Sequence, residues 1–140
     1  MCQDSIMIIG QWKAISATMG PVYYNSTNDS SFLDYEFFKM KNLSSDTALH
    51  ARIIVDLKRV ILGTTFIFDN SGNFKQLLYG VTQIEGTYEI DEQTKKIKTS
   101  LRVEQGKPSI QESEYLISHS SLYINSSTTE QKLEFTLQKL

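Results

Sequence analysis

The sequence predicts a mainly β protein, an antiparallel up-and-down barrel of about eight strands with one α-helix (about residues 46–62) inserted before most of them. Three observations carry this. From residue 64 onward, apolar residues recur with a period of two, in seven runs separated by short polar turns. Between residues 46 and 62 the period is that of a helix. At 140 residues the chain has the length of one domain, enough to bury about two-thirds of its unfolded surface without staples. A meander of strands removes its exposed edges most readily by closing on itself.

Taken in order, residues 1–5 read as a tether and residues 6–140 as the barrel domain. Ile6 to Thr18 reads as the first strand. Pro21 to Tyr24 and Phe32 to Met40 read as extended or loosely structured, with Asn25 to Ser31 as a loop. An eighth strand in this stretch would complete a small closed barrel. In the helix, Leu49, Ile53, Leu57 and Val60 form one stripe, widened by Ile54 and Ile61. Asp46 is its N-cap, Gly63 its stop, and Arg52 is placed to pair with Asp56. Thr64 to Phe68 is the next strand, and Asp69-Asn70-Ser71-Gly72 a tight turn with Gly where positive φ is needed. Asn73 to Tyr79, Glu85 to Ile90, Ile97 to Val103, Ile110 to Ser118, Leu122 to Asn125 and Leu133 to Leu137 complete the series.

Composition narrows the function classes. Forty per cent hydrophobic and 21% charged residues exclude a disordered tail, a collagen-like repeat and a disulfide scaffold. A net charge of −2 gives nucleic-acid binding little electrostatic support. Lys95, Lys96, Lys98, Arg102 and Lys107 make one basic hairpin, but without interleaved aromatics it reads as a solvated face. The aliphatic run Ile6-Met7-Ile8-Ile9 is far short of the ~20 residues of a membrane helix. The single cysteine, Cys2, follows Met1 and precedes the polar Gln3-Asp4-Ser5. A processed bacterial lipoprotein begins this way, with a lipid-bearing cysteine and a polar tether; an ordinary cytosolic cysteine is the alternative. On the first reading Cys2 is a lipidation site, the protein sits at the bacterial cell envelope or outside it, and the lipid is its only membrane contact. The Asn-x-Ser/Thr triplets at Asn25, Asn28, Asn42 and Asn125 read as solvated loops.

Three blocks then stand in a recognisable order: Gly10-Gln11-Trp12 on the first strand, Gly63-Thr64-Thr65-Phe66-Ile67-Phe68-Asp69-Asn70-Ser71-Gly72-Asn73-Phe74, and Gly86-Thr87-Tyr88-Glu89-Ile90-Asp91. This order resembles the lipocalin-like (calycin) domains of Bacteroidetes envelope lipoproteins, from about Gly10 to Leu137, with Pro21 to Lys41 matching poorly. The resemblance implies that Trp12 is a structural plug at the closed end of the barrel, under a basic side chain; Lys132, Lys139 and Arg102 are the candidates. The chain departs from lipocalins in having no Arg near its last strand. It departs again in placing its helix early, as fatty-acid-binding proteins place their lid.

Few residues suggest chemistry. His50 lies on the apolar arc of the helix, and His119 at a strand turn; with one cysteine elsewhere, no metal-ligand spacing exists and no cofactor is expected. Glu112 and Glu114 point to one strand face among polar neighbours and read as exposed. No nucleophile elbow, phosphate loop or dinucleotide fingerprint is present. The aromatics remain. Phe66, Phe68, Tyr79, Tyr88, Tyr115 and Phe135, with His50, are the candidates to line a cavity, because inward positions of a small barrel either fill its core or line a ligand site. The expected function is therefore a non-enzymatic, monomeric binding protein holding a small apolar ligand. The alternative is a structural or interaction module with a filled barrel and a protein or glycan partner on its surface. An enzyme on the same barrel would have to use His50.

Overall fold

The computed structural model describes residues 3–42, 45–102 and 109–140. Among them are ten strands and three helices. A short helix α1 (Gln3–Met7) leads into β1 (Gly10–Met19), followed by β2 (Val22–Asn25), β3 (Ser30–Leu33), α2 (Tyr35–Met40) and α3 (Thr47–Gly63). The meander then runs through β4 (Thr64–Phe68), β5 (Asn73–Leu78), β6 (Val81–Asp91), β7 (Lys96–Leu101), β8 (Ser109–Ile117), β9 (Ser121–Asn125) and β10 (Leu133–Lys139). From β4 to β10 every strand pairs antiparallel with the next, and β10 pairs back to β1. The result is a closed eight-stranded barrel of β1 and β4–β10, with β2 and β3 as an attached hairpin.

β1 organises the closure. One of its edges is paired with β10 from Trp12↔Lys139 to Met19↔Leu133, interrupted by a bulge at Ile15. Its other edge is divided: Gly10–Lys13 pair with β4, and Ser16–Met19 pair with β2. The fork between β4 and β2 is filled by α3, which packs on β1 and β2. Its buried side includes His50, Leu57 and Ile61, all on the predicted apolar arc, while Leu49, Ile53, Ile54 and Val60 are less deeply covered. Asp46 caps it as expected, accepting the Leu49 amide. At the other end, Thr64 Oγ1, Tyr79 OH and Lys13 Nζ donate to the carbonyls of Val60, Arg59 and Leu62, groups that the helix cannot satisfy itself. Asp56 pairs with Arg59 at 3.0 Å, in place of the expected Arg52.

The meander follows the period-two reading closely. In β4 the burial alternates strictly, with Thr64, Phe66 and Phe68 inward. Gly72 takes φ +82° in the predicted turn, where Asp69 accepts the amides of Ser71 and Asn73. Gly86 has a different reason to be glycine: a Cβ there would run into the Ser100 carbonyl on β7. Glu112 and Glu114 face solvent, and Glu112 pairs with Lys96. Lys95 and Arg102 of the basic hairpin pair with Asp4 and Glu85.

Two stretches differ from expectation. The first strand begins at Gly10 rather than Ile6, and Gln3–Ser5, read as tether, belong to α1. The cause is long-range. Buried Asp4 binds Lys95 and Tyr115, while the carbonyls of Met7 and Ile8 accept Lys139 and Trp12. Phe32–Met40 is not one extended run: β3 ends at Leu33, and Asp34 caps α2 by accepting the amides of Glu36 and Phe37. Cys2 lies outside the described residues, as do Val103 and Lys107.

Candidate functional site

The two ends of the barrel are filled differently. The end holding Trp12 is closed. Trp12 is fully buried, its indole N–H donates to the Ile8 carbonyl at 2.8 Å, and Lys139 Nζ stands 5.3 Å from its ring centre. Lys139 also donates to the Met7 carbonyl, so one cation holds both the ring and α1. Of the three candidate basic partners of Trp12, Lys139 occupies the position. Beside it, Asp4 receives Lys95 at 2.8 Å and the Tyr115 hydroxyl at 2.6 Å. The Lys95 hydrogen bond, then that of Tyr115, hold the Asp4 carboxyl below its ordinary pKa.

Level with the plug lies an aromatic layer. Phe66 is paired across β1 with Trp12 and stands 6.0 Å from Phe74 and 5.5 Å from Phe135. Phe68 meets Phe74 at 5.2 Å. Beyond this layer the interior opens into a cavity of about 230 Å³, running toward the end where β1 stops and β10 starts. Its apolar walls include Met19, Ile84, Ile97, Leu101, Ile124 and Leu133. A polar arc interrupts them on neighbouring strands: Thr99 on β7, Gln111 and Ser113 on β8, and Ser126 just after β9, with Gln76 on β5. The hydroxyls of Ser113 and Ser126 lie 2.7 Å apart, and Thr99 Oγ1 donates to the Gln111 carbonyl at 3.5 Å. None of the described lining residues carries a charge.

Of the predicted lining residues, Phe66, Phe68 and Phe135 reach this cavity. Tyr115 points instead to the plug, because its hydroxyl is held by Asp4. Tyr88 packs edge-on to Phe68 and donates to the Asp69 carbonyl at 2.7 Å, which anchors it at the β4–β5 turn. Burial, then the Asp69 charge, raises its pKa. Tyr79 lies outside the barrel with φ +49°, its ring over Gly63 and its hydroxyl on the Arg59 carbonyl. His50 is also remote: it packs between Phe38 at 4.5 Å and Tyr35 at 6.0 Å, because α3 lies against β1 and β2 and supplies no described residue to the cavity.

Sequence reading missed the polar arc. Gln111 and Ser113 look like companions of the exposed Glu112 and Glu114. The signal was the phase. Ser113 is two residues from Tyr115, an inward position, so it shares that face. Among the described residues no cluster of His, Cys, Asp and Glu suits a metal ion.

No family model matches the chain by sequence, and no curated protein matches it. In three dimensions the chain is similar to a crystal structure of a DUF4847 family protein from Bacteroides vulgatus, with a TM-score of 0.51 and 18% identity over 96% of this chain and 95% of that one. At that identity the likeness is one of fold: the same kind of barrel, built by a largely different sequence.

Proposed function

We propose that the protein is a non-enzymatic, lipocalin-like binding barrel that holds a small apolar ligand, and that Cys2 is a lipid anchor placing it at the cell envelope. The cavity of about 230 Å³ between the aromatic layer and the mouth is the observation that supports this most. A barrel serving only as a scaffold gains stability from filling such a space, since each unfilled methyl-sized void costs about 1 kcal/mol. An unfilled apolar interior beside a solidly plugged end is what a binding barrel requires.

Titration calorimetry with toluene as an apolar probe tests the reading. Saturable binding with negative heat-capacity change is expected, and Thr99→Phe, which places a ring in the cavity, should abolish it. Absence of saturable binding of toluene and of longer apolar probes such as 1-octanol would overturn the proposal. A second reading has one observation in its favour. Phe32, Tyr35, Phe37 and Met40 are all exposed on β3 and α2, and β3 is the free edge of the sheet. That surface suits an interaction module, and toluene binding lost in Thr99→Phe separates the two.

A further inference from the structure

We infer that the ligand is a neutral amphiphile: an apolar body of modest size with one uncharged hydrogen-bonding head, bound head to the Thr99–Gln111–Ser113–Ser126 arc. The inference rests on the cavity being a binding site and adds the chemistry of what enters it.

Three features of the wall lead to it. First, four of the five polar side chains among its described residues are gathered on one side, with Gln76 apart on β5. Thr99, Gln111, Ser113 and Ser126 lie on the β7–β9 side, whereas the aromatic layer of Phe66, Phe68 and Phe74 belongs to β4 and β5. A ligand that satisfies both must itself be polar at one end. Second, the polar groups are hydroxyls and amides only, among the described lining residues. A carboxylate or ammonium head would leave water there with no opposite charge to meet it, which is the costliest way to bury a polar group. Third, the arc has capacity to spare. One hydrogen bond joins Ser113 and Ser126, so one hydroxyl of the pair donates to the other and the acceptor's own O–H remains to donate. A ligand carbonyl or hydroxyl fits that donor, and the Gln111 amide offers both a donor and an acceptor beside it.

Size sets the scale of the body. At roughly 30 Å³ per water-sized group, the cavity takes about eight such groups. A medium-chain alcohol or amide is of that order.

The test compares two probes with the same tail, 1-octanol and octanoate, at about pH 8 where the acid is ionised. Toluene serves as the purely apolar control. Octanol is expected to bind at least about tenfold more tightly than octanoate. The arc variants Ser113→Ala and Gln111→Leu should each weaken octanol about threefold or more while leaving toluene within about twofold. Gln111 is exposed at the mouth, so its variant keeps the fold even where a substitution at buried Ser113 does not. Octanoate binding as tightly as octanol would overturn the neutral-head inference and leave the cavity proposal standing. Equal loss of octanol and toluene in the arc variants would overturn the head-group placement. Failure of toluene as well as both octyl probes would remove the binding reading itself.

Discussion

At the plugged end of the barrel, side chains from β1, β8, β10 and the turn before β7 are tied to α1 and the residue after it: Lys139 to the Met7 carbonyl, Trp12 to that of Ile8, and Lys95 and Tyr115 to Asp4. At the mouth, one backbone hydrogen bond, from the Gly20 amide to the Lys132 carbonyl, spans the sequence, and most other ties are local. The β9–β10 connection is held by its own turn, with Thr128 accepting the amides of Glu130 and Gln131, and Ser127 Oγ accepting that of Leu133. The same strands thus have one end tied by several side chains from distant parts of the sequence, and one end where, beyond the Gly20 amide on the Lys132 carbonyl and the Ser113–Ser126 contact, the ties lie within the turn itself. Rigidity at one end permits an unfilled interior at the other, because the barrel's shape does not depend on what occupies the cavity.

The sharpest way to break this contrast is Trp12→Ala. It empties the plug and is expected to cost about 3–5 kcal/mol, read as a lower urea midpoint with little change in slope. A loss below about 1 kcal/mol would mean that the closed end does not organise the barrel. Asp4→Asn should cost less, about 1–2 kcal/mol, since it weakens charged hydrogen bonds without opening a void. It also carries a pH signature. The folded pKa of Asp4 is lowered, so its contribution is complete above the ordinary carboxylate value of about 3.9 and is lost as pH falls through the folded value. Thermal melts of the wild type should therefore decline on the acid side, and Asp4→Asn should flatten that decline. At the mouth, Thr128→Ala should change stability by no more than about 0.5 kcal/mol, with faster amide exchange confined to the β9–β10 connection.

The same division explains what the sequence reveals. Elements set by local rules are legible. The α3 helix has its Asp46 cap, and the Asp69–Gly72 turn and the alternation of β4 declare themselves in a few residues. Gly63 ends the helix as its last residue, but it is the distant Tyr79 ring, not a positive φ, that requires a glycine there. Elements set from a distance are not. Ile6-Met7-Ile8-Ile9 has the look of a strand, and the ties that hold α1 come largely from afar: Lys95, 91 residues from Asp4, Tyr115, and Lys139, 132 residues from Met7. A short helix such as α2 falls between: Asp34 is a legible cap, but Tyr35, Phe37 and Phe38 favour strands by composition. In the cavity, the phenylalanines were found because apolar alternation points them inward. Tyr79, Tyr88, Tyr115 and His50 were misplaced because each is positioned by a tertiary partner. For the three tyrosines that partner is the group their hydroxyl reaches, and for His50 it is the Phe38 ring.

The seam between β1 and β10 also sets an order in time. Its register joins Trp12 to Lys139 and Met19 to Leu133, the longest sequence separations of any strand pair in the molecule. Until β10 has been synthesised, β1 and β9 each carry an unpaired edge, and the meander between them is an open sheet. The β2–β3 hairpin covers half of β1's opposite edge early, but nothing local shields the side awaiting β10. Barrels closed in this way fold slowly, since the loop entropy of the whole meander must be met in one step. The period before that step is when the nascent chain is most exposed to joining another copy of itself, edge to edge.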